Sequence, residues 1–350
     1  MINATMTDAT ITDATITDAT ITDATITDAT MTDATMTDAT ITDATITDAT
    51  MTDATMTDAK MIDAVGRHVD HLRLSLTKRC NLDCFYCHKE GNTQDTTGDA
   101  GNMHEVSTEK VFEILSESKK AGISSLKLTG GEPLLRKDIA EIVRYADMLG
   151  YEDIGLTTNG TLLHSCACEL ADAGLNHVNI GCDTLTLSSQ LPKNAVRLEK
   201  GMLESVRAGL QVKLNMVVLR GINDGEIWPM IDFCAAKGIN LQLIELVRLG
   251  DMGIFESYFY PLMDIEDELR QRSESVRKRA MQGRMRYYMD GIFVEVVRPS
   301  PDFCSRCNKV RIDCHGRIMP CLMRKDEVFE FKGACALAKA VKARDKYGYG

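Results

Sequence analysis

From about residue 61 onward the apolar positions switch between two periods. Leu72, Leu74 and Leu76 recur at every second residue and predict a strand, whereas Val111, Ile114, Leu115 and Ser118 recur at helical spacing from about Ser107 to a stop at Gly122. The alternation then repeats. Strands are predicted at Leu126 to Thr129, Ile154 to Thr157, Val178 to Ile180, Val212 to Leu219 and Leu241 to Leu246, with helices between them at Ile139 to Leu149, Leu162 to Ala173, Leu198 to Ala208 and Ile227 to Ala236. Repeated βα units predict an α/β fold with a parallel sheet and right-handed crossovers. Six such units fit an incomplete, three-quarter TIM-like barrel with its chemistry at the carboxyl ends of the strands. A doubly wound open sheet is the alternative. Beyond the sixth strand come a charged helix from about Asp264 to Met281 and a hairpin from Arg284 to Val297, turning at Asp290-Gly291. The pattern divides the chain into residues 1–60, a barrel over 61–250 and a C-terminal extension over 251–350.

Residues 5–59 follow another rule, the pentad Thr-Ile/Met-Thr-Asp-Ala eleven times over. A period of five suits neither an amphipathic helix nor a strand, and one Ile or Met in five buries too little to offset chain entropy. A low-complexity, disordered tail is therefore predicted, with a pentapeptide-type β-solenoid as the alternative. The repeat also carries the charge. The net charge is -11, but removing the 11 repeat aspartates from the 51 acids leaves 40, equal to the 40 Lys plus Arg, so the remainder is neutral. The N-terminus has no basic segment followed by a continuous apolar core, and no run elsewhere is long enough to span a bilayer. Twelve cysteines in such a chain predict reduced thiols in a cytoplasm, used for metal.

Cys80, Cys84 and Cys87 place three thiols within eight residues, directly after the first strand. Zinc sites take four protein ligands, or three plus water, with Cys-x2-Cys spacing, whereas Cys-x3-Cys-x2-Cys wraps three corners of a four-iron cluster and leaves one iron open. A zinc knuckle is the bland alternative. One βα unit later, Gly130-Gly131-Glu132-Pro133 lets a ligand approach the backbone and offers a carboxylate to an ammonium group; it is not a Gly-x-Gly-x-x-Gly phosphate loop. Cys304, Cys307 and Cys321 form a second incomplete set, Cys-x2-Cys-x13-Cys. Cys314 or His315 could complete it as a zinc ribbon. Arg73, Lys127 and Lys213 stand on predicted strands, where a solvated face is the ordinary explanation.

The first triad, with Tyr86 before its last thiol, resembles the signature of the radical S-adenosylmethionine (SAM) enzymes. Taken with Lys127 to Arg136, Leu156 to Gly160, Val212 to Val218, Gly221 to Asp224 and the second triad, the chain over residues 61 to about 325 resembles the GTP 3',8-cyclases, most closely their archaeal members. The resemblance implies two [4Fe-4S] clusters on the two triads and SAM on the open iron of the first, held by Tyr86, Gly130, Gly131, Glu132, Gly181 and Val247. It implies GTP on the second, contacted by Arg73, Lys127, Thr157, Lys213, Lys309, Val310 and Arg311, of which Arg73, Lys309 and Arg311 would be catalytic. A 5'-deoxyadenosyl radical would abstract the ribose C3' hydrogen and lead to 3',8-cyclo-7,8-dihydro-GTP. A flavodoxin- or ferredoxin-type electron donor and cyclic pyranopterin monophosphate synthase downstream are implied, with neither nucleic acid nor membrane as partner and a homodimer left open. A radical SAM enzyme acting on a peptide is the alternative. Four departures stand out: Gly181 where Ser is usual, Lys309 for Arg, Val247 for Met, and an ending Lys-Tyr-Gly-Tyr-Gly in place of a Gly-Gly tail, with residues 325–350 fitting poorly. Cys166, Cys168, Cys182, Cys234, Cys314 and Cys335 read as buried or incidental thiols.

Overall fold

The computed structural model describes residues 61–88, 105–249, 251–279, 281–323 and 327–344, and the backbone of ten short strands between residues 6 and 52. The polar, glycine-containing stretch 89–104 lies outside them.

Alternating strands and helices assemble into one twelve-stranded sheet. Its centre holds β1 (His71–Ser75), β2 (Ser125–Thr129), β3 (Asp153–Thr158), β4 (His177–Gly181), β5 (Gln211–Val218) and β6 (Asn240–Glu245), each parallel to the next. The intervening helices are α1 (Thr108–Lys120), α2 (Ile139–Met148), α3 (Ala167–Asp172), α4 (Ala195–Arg207) and α5 (Ile227–Lys237). Ser107 caps α1 by accepting from the Lys110 N–H at 3.2 Å, and the helix buries the predicted stripe of Val111, Ile114, Leu115 and Ser118. Leu72, Leu74, Leu126, Leu128, Ile154 and Leu156 are all fully buried in the core. The period of two sends the residues between them to the other face of the sheet, and among these are Arg73 and Lys127. Room for the latter comes from its neighbour, since a Cβ on Gly155 would lie 2.2 Å from Lys127 Nζ.

The strand order runs β1 to β6 without reversal, so the doubly wound alternative, which reverses at a switch point, does not apply. The C-terminal extension adds to both edges. Its elements are α6 (Met252–Tyr258), α7 (Met263–Arg272), β7 (Ser275–Lys278), β8 (Met285–Met289), β9 (Ile292–Val297), α8 (Pro301–Ser305), β10 (Lys309–Ile312), β11 (Arg317–Met319), β12 (Phe329–Glu330) and α9 (Ala334–Lys342). Strand β9 lies parallel to β6, and β10 lies parallel to β1. The sheet therefore crosses the divide drawn at residue 250. The hairpin turns where predicted, with Asp290 and Gly291 both at positive φ (49° and 78°) and Met289 opposite Ile292. The helix predicted to Met281 is shorter: it stops at Arg272, because Ser275–Lys278 pairs with the edge of β8 instead. Among the described residues no helix is long and apolar enough to cross a membrane.

The disordered tail expected over residues 1–60 falls partly outside the described residues. Where backbone is described it is extended, and strands twenty residues apart pair in parallel: Met6 with Ile26, Ile11 with Met31, Ile16 with Met36, Ile21 with Ile41. At this spacing of four pentads an Ile or Met position pairs with another Ile or Met position, in β-branched segments suited to strands.

Candidate active site

Two adjoining cavities open at the carboxyl ends of the central strands. The larger, about 640 Å³, is bordered by the last residues of β2, β3, β4 and β6, namely Thr129, Thr158, Gly181 and Glu245, and by the first triad. The smaller, about 240 Å³, is bordered by the second triad. Arg73, His88, Ile244 and Val247 belong to both walls. The two triads thus lie on adjoining cavities that share these four residues.

The loop bearing Cys80 is built onto the Gly-Gly-Glu-Pro turn. Gly131 N–H donates to Thr77 O at 2.7 Å and Glu132 N–H to Arg79 O at 2.8 Å. A Cβ on Gly131 would sit 2.3 Å from Arg79 O, and one on Gly130, whose φ is +150°, 2.6 Å from Thr77 O. The glycines thus serve a close approach of the chain to itself as well as bordering the cavity. Asn159 fastens the same loop: its Nδ2 donates to Asn81 Oδ1 at 2.8 Å and lies 3.8 Å from Cys80 Sγ.

Glu132 is held from the β3 side. Its carboxylate accepts from Thr158 Oγ1 (2.7 Å), Asn159 N–H (2.7 Å) and Leu134 N–H (3.0 Å), so it anchors the end of β3. Burial raises its pKa despite those donors. Tyr86 and Gly181 do line the cavity, and Val247 borders both. The Tyr86 hydroxyl donates to Asp183, and burial first, then the Asp183 charge, raises its pKa well above the ordinary phenol value. Lys193, which no sequence signal distinguished from a loop lysine, reaches the same spot with Nζ 3.1 Å from Asp183 Oδ2 and 5.1 Å from the Tyr86 ring centre.

In the smaller cavity β10 presents Lys309 and Arg311, opposite His71 and Arg73 in the register. Val310 is fully buried in the core on the other face, so strand alternation removes its side chain from the proposed nucleotide contacts. Lys127 and Lys213 border neither cavity. Lys127 is buried beside His177 Nε2, and the partly buried Lys213 has Nζ 3.7 Å from Glu295 Oε2. Burial, foremost, lowers the pKa of Lys127 and Lys309 well below the ordinary ammonium range and that of Lys213 to about 8. Glu295 is the fully buried counter-charge of Lys213, also approached by Arg284 (2.6 Å), Arg286 (3.4 Å) and Arg279 (3.5 Å). Burial alone would raise its pKa; Lys213 and the three arginines hold it at about 2. Cations from β1, β2, β5, β8 and β10 outnumber this carboxylate, which is the electrostatics of a polyanion site.

The second triad is gripped from both ends of the described body. Asp63 is 2.6 Å from Arg67 Nε and 3.7 Å from Arg344 Nη1, while Arg67 donates to Cys304 O at 2.8 Å and Arg344 to Cys307 O at 2.7 Å. Cys314 does not join the set. It is buried and lies outside the cavity wall that carries the other three thiols. Among the described residues no group of three or more His, Cys, Asp or Glu could hold a metal ion. Six free thiols lie instead as two triads on cavity walls, the donor set suited to clusters. Beside them, Thr157 Oγ1 and Asn215 Oδ1 are buried on the larger cavity without a hydrogen-bond partner, as polar groups awaiting a ligand would be.

Comparison with known proteins agrees with this geometry. Residues 74–234 match the radical SAM superfamily, 239–343 match Molybdenum Cofactor Synthesis C, and 21–58 match eight pentapeptide repeats. The second match reaches further into the C-terminus than the sequence suggested. Proteins named "Probable GTP 3',8-cyclase" from Methanothermobacter thermautotrophicus and Pyrococcus abyssi are 40% and 39% identical, each over 77% of this chain and 89% of theirs. One from Archaeoglobus fulgidus is 35% identical over 79% of this chain and 94% of its own. The solved structure of Streptococcus suis SuiB superposes with a TM-score of 0.58 at 19% identity, over 80% of this chain and 67% of that one; its SAM-bound form gives 0.56 at 18%, over 80% and 65%. At that identity they establish the fold. The chain belongs to the GTP 3',8-cyclase family of radical SAM enzymes.

Proposed function

We propose that this chain converts GTP to 3',8-cyclo-7,8-dihydro-GTP, the first step of molybdenum cofactor biosynthesis. The observation that carries the reading is the pair of thiol triads on adjoining cavities with Arg73 in both walls. Its cofactors are two [4Fe-4S] clusters, on Cys80, Cys84 and Cys87 and on Cys304, Cys307 and Cys321, together with SAM. The chemistry they supply when bound is one-electron cleavage of the SAM sulfonium, delivering a carbon radical that abstracts a hydrogen atom.

The residues themselves bind, orient and exclude water. Tyr86, Gly130, Gly131, Gly181 and Val247 hold SAM against the first triad, and Glu132 supports that wall from behind. Arg73, Lys309 and Arg311, which border the second cavity, take the nucleotide there, with Thr157 on the larger cavity and Lys127 and Lys213 deeper between the strands. A triphosphate needs several cations at once, and Arg adds bidentate hydrogen bonds. The sheet curves as a three-quarter barrel whose gap is walled by the C-terminal extension. Support for this comes from a single cavity wall that contains both Arg73 of β1 and Ile244 of β6, five strands apart in the sheet order. The buried cations favour a nucleotide over the peptide alternative. The setting is cytoplasmic, with a flavodoxin- or ferredoxin-type reductant, the pyranopterin monophosphate synthase downstream and a homodimer open to test.

Reduced protein incubated with SAM and GTP should form 5'-deoxyadenosine faster than with SAM alone; if GTP gives no stimulation, the cyclase reading fails. The Cys304→Ala variant should retain SAM binding and lose GTP turnover. Undiminished cyclase activity in it would remove the second triad from catalysis.

A further inference from the structure

We propose that the Gln282 side chain donates to the 6-oxo group of the purine base, which makes it a specificity-determining residue of the smaller cavity. The inference rests on the reading that a nucleotide binds there with its base at the second triad. Gln282 stands in the connection between β7 and β8, which Arg279 N–H closes by donating to Arg284 O at 2.8 Å. Within it Gln282 and Gly283 follow one another at positive φ, 58° and 60°. Two such residues in succession are ordinary at the centre of a tight strand connection, but Asn, Asp and Gly are the residues that suit it. Glutamine bears the conformational cost without being a turn former. An observed outlier of this kind, on the wall of a cavity, points to a use for the side chain.

What glutamine adds to asparagine is reach. Gln282 is buried and borders the smaller cavity, and its N–H donates to Arg306 O at 3.0 Å, inside the Cys304 to Cys307 turn. Its Oε1 accepts from Lys309 Nζ at 3.4 Å. An ammonium can only donate, so the amide must turn its oxygen to Lys309 and its nitrogen elsewhere. Among the described residues that nitrogen has no hydrogen-bond partner. Arg73, Lys309 and Arg311 on the same wall are cations suited to phosphates, whereas a neutral donor beside the triad suits an acceptor on the base. Guanine presents a carbonyl oxygen at C6, where adenine presents an amino group that only donates. Gln242, another amide on this wall, gives its oxygen to Arg284 Nη1 at 3.1 Å, but it lies in the regular strand β6 and no backbone cost singles it out.

The test measures equilibrium binding of GTP, of ITP, which keeps the 6-oxo group, and of 2-aminopurine riboside triphosphate, which lacks it, to anaerobically reconstituted protein. Iron content and urea unfolding are followed alongside. Gln282→Gly relieves the turn and removes the amide, so stability should be unchanged or higher while the affinity of GTP and of ITP relative to the 2-aminopurine analogue falls about tenfold. Gln282→Glu keeps an acceptor for Lys309 and loses the donor. Its added charge weakens all three nucleotides alike, but the same ratios should fall, which separates contact with the base from support of the lysine. Should Gln282→Gly lose iron at the second triad, Gln282→Glu decides. Ratios unchanged in either iron-replete variant would overturn the proposal. Wild-type protein that binds none of the three would overturn the nucleotide reading, and the proposal with it.

Discussion

Glu295→Gln is expected to lower the folding stability of this protein by about 3–5 kcal/mol, the cost of leaving buried charges without their partner. The carboxylate is fully buried on β9 within 4 Å of Lys213, Arg279, Arg284 and Arg286, so its replacement keeps the shape and strands four cations. The pH dependence has a definite sign. Its pKa falls from an ordinary value near 4.5 to about 2 in the folded protein, so the stability it contributes is complete above the ordinary value and disappears as pH falls through about 2. Anaerobic urea unfolding should show wild type losing stability across that interval relative to the variant. A neutral-pH difference below about 1 kcal/mol would mean that Glu295 is not what holds the cations together.

Gly131→Ala is expected to damage the first triad more than the fold. The added methyl would meet Arg79 O at 2.3 Å, Arg79 C at 2.7 Å and Lys78 O at 2.7 Å, all backbone, so no side chain can swing clear. The segment leading to Cys80 must move, and the hydrogen bonds from Gly131 and Glu132 to Thr77 and Arg79 move with it. Overpacking of this kind costs about 1–3 kcal/mol. The larger effect falls on function: iron at the first triad and SAM affinity should both drop severely, with iron at the second triad retained. Iron analysis with electron paramagnetic resonance of the two clusters separates these outcomes, and a variant with full iron and SAM affinity would refute the account.

What the sequence could disclose was local chemistry. Two thiol triads, the Gly-Gly-Glu-Pro turn and the succession of βα units need only neighbouring residues to be recognised, and the parallel order of β1 to β6 follows from them. At Glu132, type and spacing indicate a carboxylate but not its direction, which depends on the β3 end that supplies Thr158 and Asn159 to it. Val310 was placed by position, although alternation beside Lys309 and Arg311 sends it to the opposite face. Lys193, Arg284, Arg67 and Arg344 gave no signal, since each reaches its place through a loop or terminus whose path is a property of the whole fold. The repeat was legible as a period but not as a structure, because its register closes only after twenty residues.

The grip on the second triad makes its shape a long-range property of the chain. Arg344, whose guanidinium holds Cys307 O, stands 37 residues beyond that cysteine, and Arg67, which holds Cys304 O, stands 237 residues before its partner. The Cys304 to Cys307 turn therefore takes its final form only when both arginines have been brought to it by the folding of the elements around them, so damage far away in sequence reaches this site directly.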